Sequence, residues 1–138
     1  MEYKFKYEDE EYAILKENCE YILNDEEKEV NDFNIDNVLE LLNNCDEVFF
    51  DKEYYSDPCE VCLEGKKEKL KFFKFLEYHF YIFTKEENYV ISSISEEYKN
   101  TSFMKLLRDR KIDNSYIVSI IYCPYCKKYT IEIEQCEM

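Results

Sequence analysis

Glycine occurs once in these 138 residues, histidine once and proline twice. A single glycine leaves no glycine-rich loop to cradle phosphates, so the nucleotide-binding fingerprints are excluded. With His79 as the only imidazole, a hydrolytic constellation built on histidine has almost no raw material. His79 falls in an aromatic-rich stretch, where a structural role is expected. Asp and Glu are abundant, yet no spacing singles out two of them as an acid–base pair, and no enzymatic activity is expected. Long apolar runs are also missing: none approaches the roughly 20 residues of a membrane-spanning helix. Met1 to Tyr7 alternates charged and aromatic side chains, so no basic region followed by an apolar run marks a secretory signal. A cytoplasmic protein with no membrane contact is the expectation.

What is present is aromatic bulk, acidity and cysteine. Hydrophobic residues make up 46% of the chain, enough for one domain spanning residues 1–138 with its own core. Fourteen Tyr and ten Phe favour sheet faces over an alanine-lined bundle. The expected class is α+β, a mainly antiparallel sheet with two or three helices, acidic in its first half and sheet-rich in its second. The net charge of −14 is uneven: residues 1–64 carry 5 basic and 21 acidic side chains, whereas residues 65–138 carry 13 and 11. Such a field repels nucleic acid and anionic membrane. Seven cysteines without an export signal read as thiols or metal ligands before they read as a disulfide framework, and the odd count agrees.

Periodicity orders the elements. Tyr3, Phe5 and Tyr7 alternate with charged residues, as in a strand with one buried face. Tyr12 to Leu23 fits either a helix or the return of a hairpin across Asp9-Glu10, with Cys19 on the apolar side. Asn24 to Asp32 reads as exposed loop. Ile35, Val38, Leu39, Leu42 and Cys45 recur at helical spacing behind a cap at Asn34 or Asp36. Cys45, like Cys19, is expected to pack as a small hydrophobe. Val48-Phe49-Phe50 suits a short strand. Two or three antiparallel strands are expected between Lys66 and Ser95, turning at Thr84–Asn88. A second helix is expected from Phe103, capped by Thr101 or Ser102 and ending near Asp113-Asn114. Tyr116 to Tyr122 is nearly continuously apolar, the pattern of a central strand covered on both faces. Tyr129, Ile131 and Ile133 then alternate with polar residues as a half-exposed strand.

Cys59-Glu60-Val61-Cys62 and Cys123-Pro124-Tyr125-Cys126 hold four of the cysteines, and the prolines and the glycine cluster around them: Pro58, Pro124 and Gly65. Two thiolates separated by two residues can grip one metal ion, and a second pair completes a tetrahedral sulfur shell. Pro124 presets the first corner of its turn, while Pro58 holds Asp57 extended, so the two turns are expected to be similar rather than duplicated. Lys66, Lys67, Lys69, Lys71 and Lys74 follow the first pair and Lys127 and Lys128 the second, as solvated charge, as neutralisation of a tetrathiolate site or as a nucleic-acid contact. Cys136 reads as a tail thiol.

These residues resemble the zinc-ribbon class, in which two cysteine knuckles at hairpin tips share a structural zinc. The resemblance implies Cys59, Cys62, Cys123 and Cys126 as ligands of Zn²⁺. It covers the knuckles and their flanking strands, and the 60 residues between Cys62 and Cys123 exceed a compact ribbon's usual insertion. The whole chain also resembles short uncharacterised single-domain bacterial proteins, which implies no activity. Cys-Pro-Tyr-Cys is in addition the redox motif of glutaredoxins, where the first thiol opens a helix. Only 12 residues follow Cys126 and they alternate as a strand, which rejects that family. The reading is a structural zinc protein that interacts with other proteins. A dithiol redox switch and a nucleic-acid-binding zinc ribbon are the alternatives.

Overall fold

The computed structural model describes residues 1–136. The chain opens with a hairpin of β1 (Glu2–Tyr7) and β2 (Glu10–Leu15). Next come β3 (Cys19–Leu23), α1 (Ile35–Asn43), β4 (Asp51–Tyr55) and β5 (Phe73–Lys85). After them follow β6 (Asn88–Ser92), α2 (Phe103–Arg108), β7 (Asn114–Tyr122) and β8 (Tyr129–Gln135). This is an α+β arrangement dominated by sheet, with two α-helices among the described residues. The segment 12–23 resolves as strands on both sides of a 3₁₀ turn at Lys16–Asn18. Its apolar spacing is compatible with helix, but pairing with β1 and β8 supplies the backbone partners that decide it.

The main sheet runs β3-β8-β7-β5-β4, with β6 also paired to β5. Only β3 lies parallel to its neighbour, β8. One face carries the core. Leu76, Phe80 and Ile82 of β5, Val118, Ile120 and Tyr122 of β7, and Tyr129, Ile131 and Ile133 of β8 are buried there against α1 and the β1–β2 hairpin. Aromatic contacts join the layers: Phe5 stacks on Phe50 at 4.2 Å between centroids and meets Tyr122 edge-on at 5.4 Å. The hairpin is hung from the sheet by two buried phenols, Tyr122 donating to the Ala13 carbonyl at 3.0 Å and Tyr129 to that of Leu15 at 2.9 Å. Asn34 caps α1, accepting from the Asn37 N–H while the Asn37 side chain accepts from the Asn34 N–H.

On the opposite face α2, capped by Ser102, covers only one end of the sheet, where Phe83, Leu106 and Ile112 form a small separate cluster. Much of that face stays open. The expectation that β7 is covered on both faces is therefore corrected: Tyr116, Val118, Ile120 and Tyr122 are buried, whereas Ile117, Ser119 and Ile121 are only half-buried. Other boundaries also move. Val48-Phe49-Phe50 is not a strand; Phe50 plugs the core and β4 begins after it. The 24–32 connector is not wholly exposed, since Val30 is buried and both its N–H and its carbonyl are satisfied by Asn24. β5 starts at Phe73, leaving 66–72 as loop, and α2 stops at Arg108, short of Asp113-Asn114. Cys19 and Cys45 are half-buried; Cys19 packs against the core as expected. No helix among the described residues is long and apolar enough to cross a membrane.

Glycine scarcity has a local consequence. Among the described residues, nine non-glycine residues take positive φ, including both central residues of the β1–β2 turn, Glu8 and Asp9, and of the β5–β6 turn, Glu86 and Glu87. Two consecutive positive φ values define the hairpin turn that Asn-Gly fills best, and each left-handed residue with a Cβ costs about 1–2 kcal/mol. The double substitution Glu86→Asn/Glu87→Gly should therefore stabilise the fold by about 1 kcal/mol in a denaturant titration. Equal or lower stability would show that these glutamates are held in place by more than the turn.

Candidate metal centre

β7 and β8 are joined by a short tip that begins at Cys123. Its ends are tied by Cys123 N–H donating to the Lys128 carbonyl at 2.9 Å and Lys127 N–H donating to the Cys123 carbonyl at 3.0 Å, with Lys127 at φ +68°. The other pair lies in the excursion between β4 and β5 and uses the same device. There Leu63 N–H donates to the Cys59 carbonyl at 2.9 Å, and Leu63 takes φ +53°. The two knuckles are thus closer to duplicates than their different prolines imply. In both, the residue after the second cysteine turns left-handed so that the chain folds back over the first sulfur.

All four sulfurs, of Cys59, Cys62, Cys123 and Cys126, lie within 4.8 Å of one another. The Cys59–Cys126 and Cys62–Cys123 separations are both 3.7 Å. A disulfide requires about 2 Å. Four sulfurs at about 2.3 Å from a tetrahedral zinc ion stand about 3.8 Å apart. The cluster therefore has the span of a tetrathiolate shell, and these four residues could hold a metal ion. Cys123 is buried and the other three are half-buried.

The sulfurs differ in their acidity. Burial pushes the Cys123 thiol well above its usual range, although the N–H groups of Cys126 and Tyr125 oppose this. Burial also raises Cys126, opposed by the Lys128 N–H. At Cys59 burial acts in the same direction, but the N–H groups of Cys62 and Val61 and the neighbouring sulfurs outweigh it, and the thiol is held below its ordinary value. Backbone donors aimed at both first cysteines are the support that a metal-bound thiolate needs.

The lysines divide. Lys127 places its ammonium over the Tyr12 ring at 4.1 Å and donates to the Pro124 carbonyl at 2.8 Å, locking the tip to the hairpin. Lys128 pairs with Glu20 at 3.2 Å, and Lys74 lies over the Tyr7 ring. Lys66, Lys67, Lys69 and Lys71 are exposed on the loop after Cys62 and form no ion pair among the described residues. Cys136 stands apart from the cluster and closes β8 through its N–H to the Ser115 carbonyl.

Two features were not read from the sequence. Glu77 is nearly buried on the open sheet face, where it accepts from the Tyr55 hydroxyl and pairs with His79 Nε2 at 3.2 Å. His79 Nδ1 in turn meets Ser119 Oγ at 2.8 Å. The spacing of Glu77 and His79 announces a shared strand face, but Tyr55 and Ser119 join only through the pairing of β5 with β4 and β7. The array satisfies a buried carboxylate. Ser119 lies mid-strand, with β7 laddered on both sides, so it lacks the free amide donors that acyl transfer requires. The second feature is Gly65, at φ +87° beneath Leu70 and Phe73. A Cβ there would stand 2.8 Å from Leu70 Cδ1, which can swing aside because Leu70 is exposed, and 3.2 Å from the buried Phe73 ring.

Backbone strain thus dominates the cost of filling this position. Gly65→Ala should destabilise the protein by about 1–2 kcal/mol in chemical denaturation. An unchanged midpoint would show that the loop relaxes freely and does not brace the knuckle.

No curated protein and no solved structure matches this chain. A family profile described as "Protein of unknown function (DUF3785)" matches residues 3–138, which takes in both cysteine pairs and every strand and helix except the first residue of β1. The chain belongs to the DUF3785 family.

Proposed function

We propose that Cys59, Cys62, Cys123 and Cys126 bind one structural Zn²⁺, and that the protein is a non-enzymatic, cytoplasmic interaction module whose surface this clasp shapes. The observation that carries the reading is the pair of 3.7 Å sulfur separations, close to the edge of a zinc tetrathiolate. Both run from one knuckle to the other, which favours a shared ion over two independent dithiols. The clasp ties residues 56–72, which have no strand or α-helix of their own, to the tip of the β7–β8 hairpin. A nucleic-acid role has weaker support: Lys66, Lys67, Lys69 and Lys71 form one local cationic loop on a molecule of net charge −14.

Protein purified without chelator should contain about one zinc per chain. Cys62→Ser and Cys126→Ser should each lose it, and Cys136→Ser should keep it. Because metal ligation needs thiolates and burial raises the Cys123 and Cys126 thiols, zinc loading should release protons, and affinity should fall as pH is lowered. A folded, metal-free chain with all seven thiols titratable would contradict the clasp.

A further inference from the structure

The sheet face opposite the core is written as though something covered it. Ile117 and Ile121 belong to the nearly continuous apolar run of β7, a pattern that belongs to strands buried on both sides, yet both are only half-buried. Around them Tyr21, Leu23 and Tyr81 stand 46–49% exposed. The strand registers align these residues across the sheet: Tyr21 beside Thr130 and Ile121, Leu23 beside Glu132 and Ser119, and Tyr81 beside Ile117 and Glu134. α2 closes one end of the strip over Phe83. The first knuckle closes the other, and between it and β3 lies a cleft of about 380 Å³ lined by Tyr21, Tyr55, Phe75, Ile121 and Glu132.

Carboxylates dominate the charge on the middle of this strip. Glu132 and Glu134 project from β8, Glu53 and Asp51 from β4, and Glu77 lies beneath Tyr55. From β5 the basic side chains on this face are His79, which pairs with Glu77, and Lys85 at the end of the strand near α2, and Lys128 at the rim is already paired with Glu20. Pairing this face with the same face of a second copy would set carboxylate against carboxylate, and an anionic polymer or membrane meets the same repulsion. Aromatic rings and carboxylates around an apolar floor suit ammonium and guanidinium groups carried on aliphatic stems.

Resting on the reading of the protein as an interaction module, we propose that this face, from the clasp to α2, is the docking surface for a Lys/Arg-bearing polypeptide segment with apolar residues between its cations. The partner's apolar side chains cover Ile117, Ile121 and Tyr81, and its cations meet Glu132, Glu134 and the carboxylates of the cleft. The knuckle residues Pro58 to Val61 form one wall of that cleft, so the metal clasp shapes the recognition surface.

The test titrates the full zinc-loaded chain against a fluorescent peptide of about 12 residues built from Arg-Leu-Leu-Arg repeats, with the Glu-Leu-Leu-Glu peptide as control. Zinc content is measured on the same sample. The cationic peptide should bind one to one, and more weakly as salt rises. Glu132→Lys/Glu134→Lys and Tyr81→Thr should each weaken binding about tenfold or more. Glu11→Lys/Glu40→Lys, an equal charge change on the hairpin and α1, should cost far less. Each of the following would overturn the proposal: no binding by the zinc-loaded chain, equal binding of the Glu peptide, equal losses from the two charge variants, or self-association that Glu132→Lys/Glu134→Lys abolishes. A zinc-free chain that still bound the cationic peptide at this face would sustain the surface and refute the metal's part in shaping it.

Discussion

Four sulfurs from two segments 60 residues apart meet within 4.8 Å, and that convergence constrains the architecture around it. The β7–β8 tip is supported by its own strands, being the turn of a long hairpin with Cys123 buried at its base. The excursion between β4 and β5 is different. Val61, Leu63, Leu70 and Phe72 are exposed within it, and few apolar contacts hold it to the sheet. Its order comes from local turns, from Gly65 under Phe73 and from the sulfur cluster. A metal bound there links a weakly packed segment to a strongly packed one, the situation in which coordination contributes most to a defined structure.

The geometry also explains why the site sits at the margin of the core. Four thiolates around a dication would remove charge from water, and the knuckle amides would compensate from close by. Lys127 serves the core, since its ammonium lies on the Tyr12 ring and Tyr12 packs edge-on against Tyr122. The hairpin, the main sheet and the cysteine cluster therefore share one cation and a run of aromatic rings.

Much of this was legible in the sequence because the signals were local. The cysteine spacing, a helix cap at Asn34 or Asp36 that the structure places at Asn34, the alternation in β1 and β8 and the hairpin tip at Pro124 each depend on a few consecutive residues. Signals that depend on partners were not legible. Tyr12 to Leu23 reads as helix or strand until β8 is known to run beside it, and the Tyr55–Glu77–His79–Ser119 array exists only once three strands are in register. The apolar run of β7 led to an expectation of cover on both faces, and the half-open face shows that apolar pattern reports what a strand is suited to contact rather than what its own chain supplies. Left-handed turns were hidden for another reason. With one glycine available, Glu, Asp, Lys and Leu occupy positions that usually announce themselves by composition.

X-ray absorption at the zinc edge, on protein purified without chelator, tests the central claim most directly. Four sulfur neighbours at about 2.3 Å, with no nitrogen or oxygen in the shell, is the predicted result. A shell with fewer than four sulfurs, or a folded protein with no zinc to measure, would contradict it.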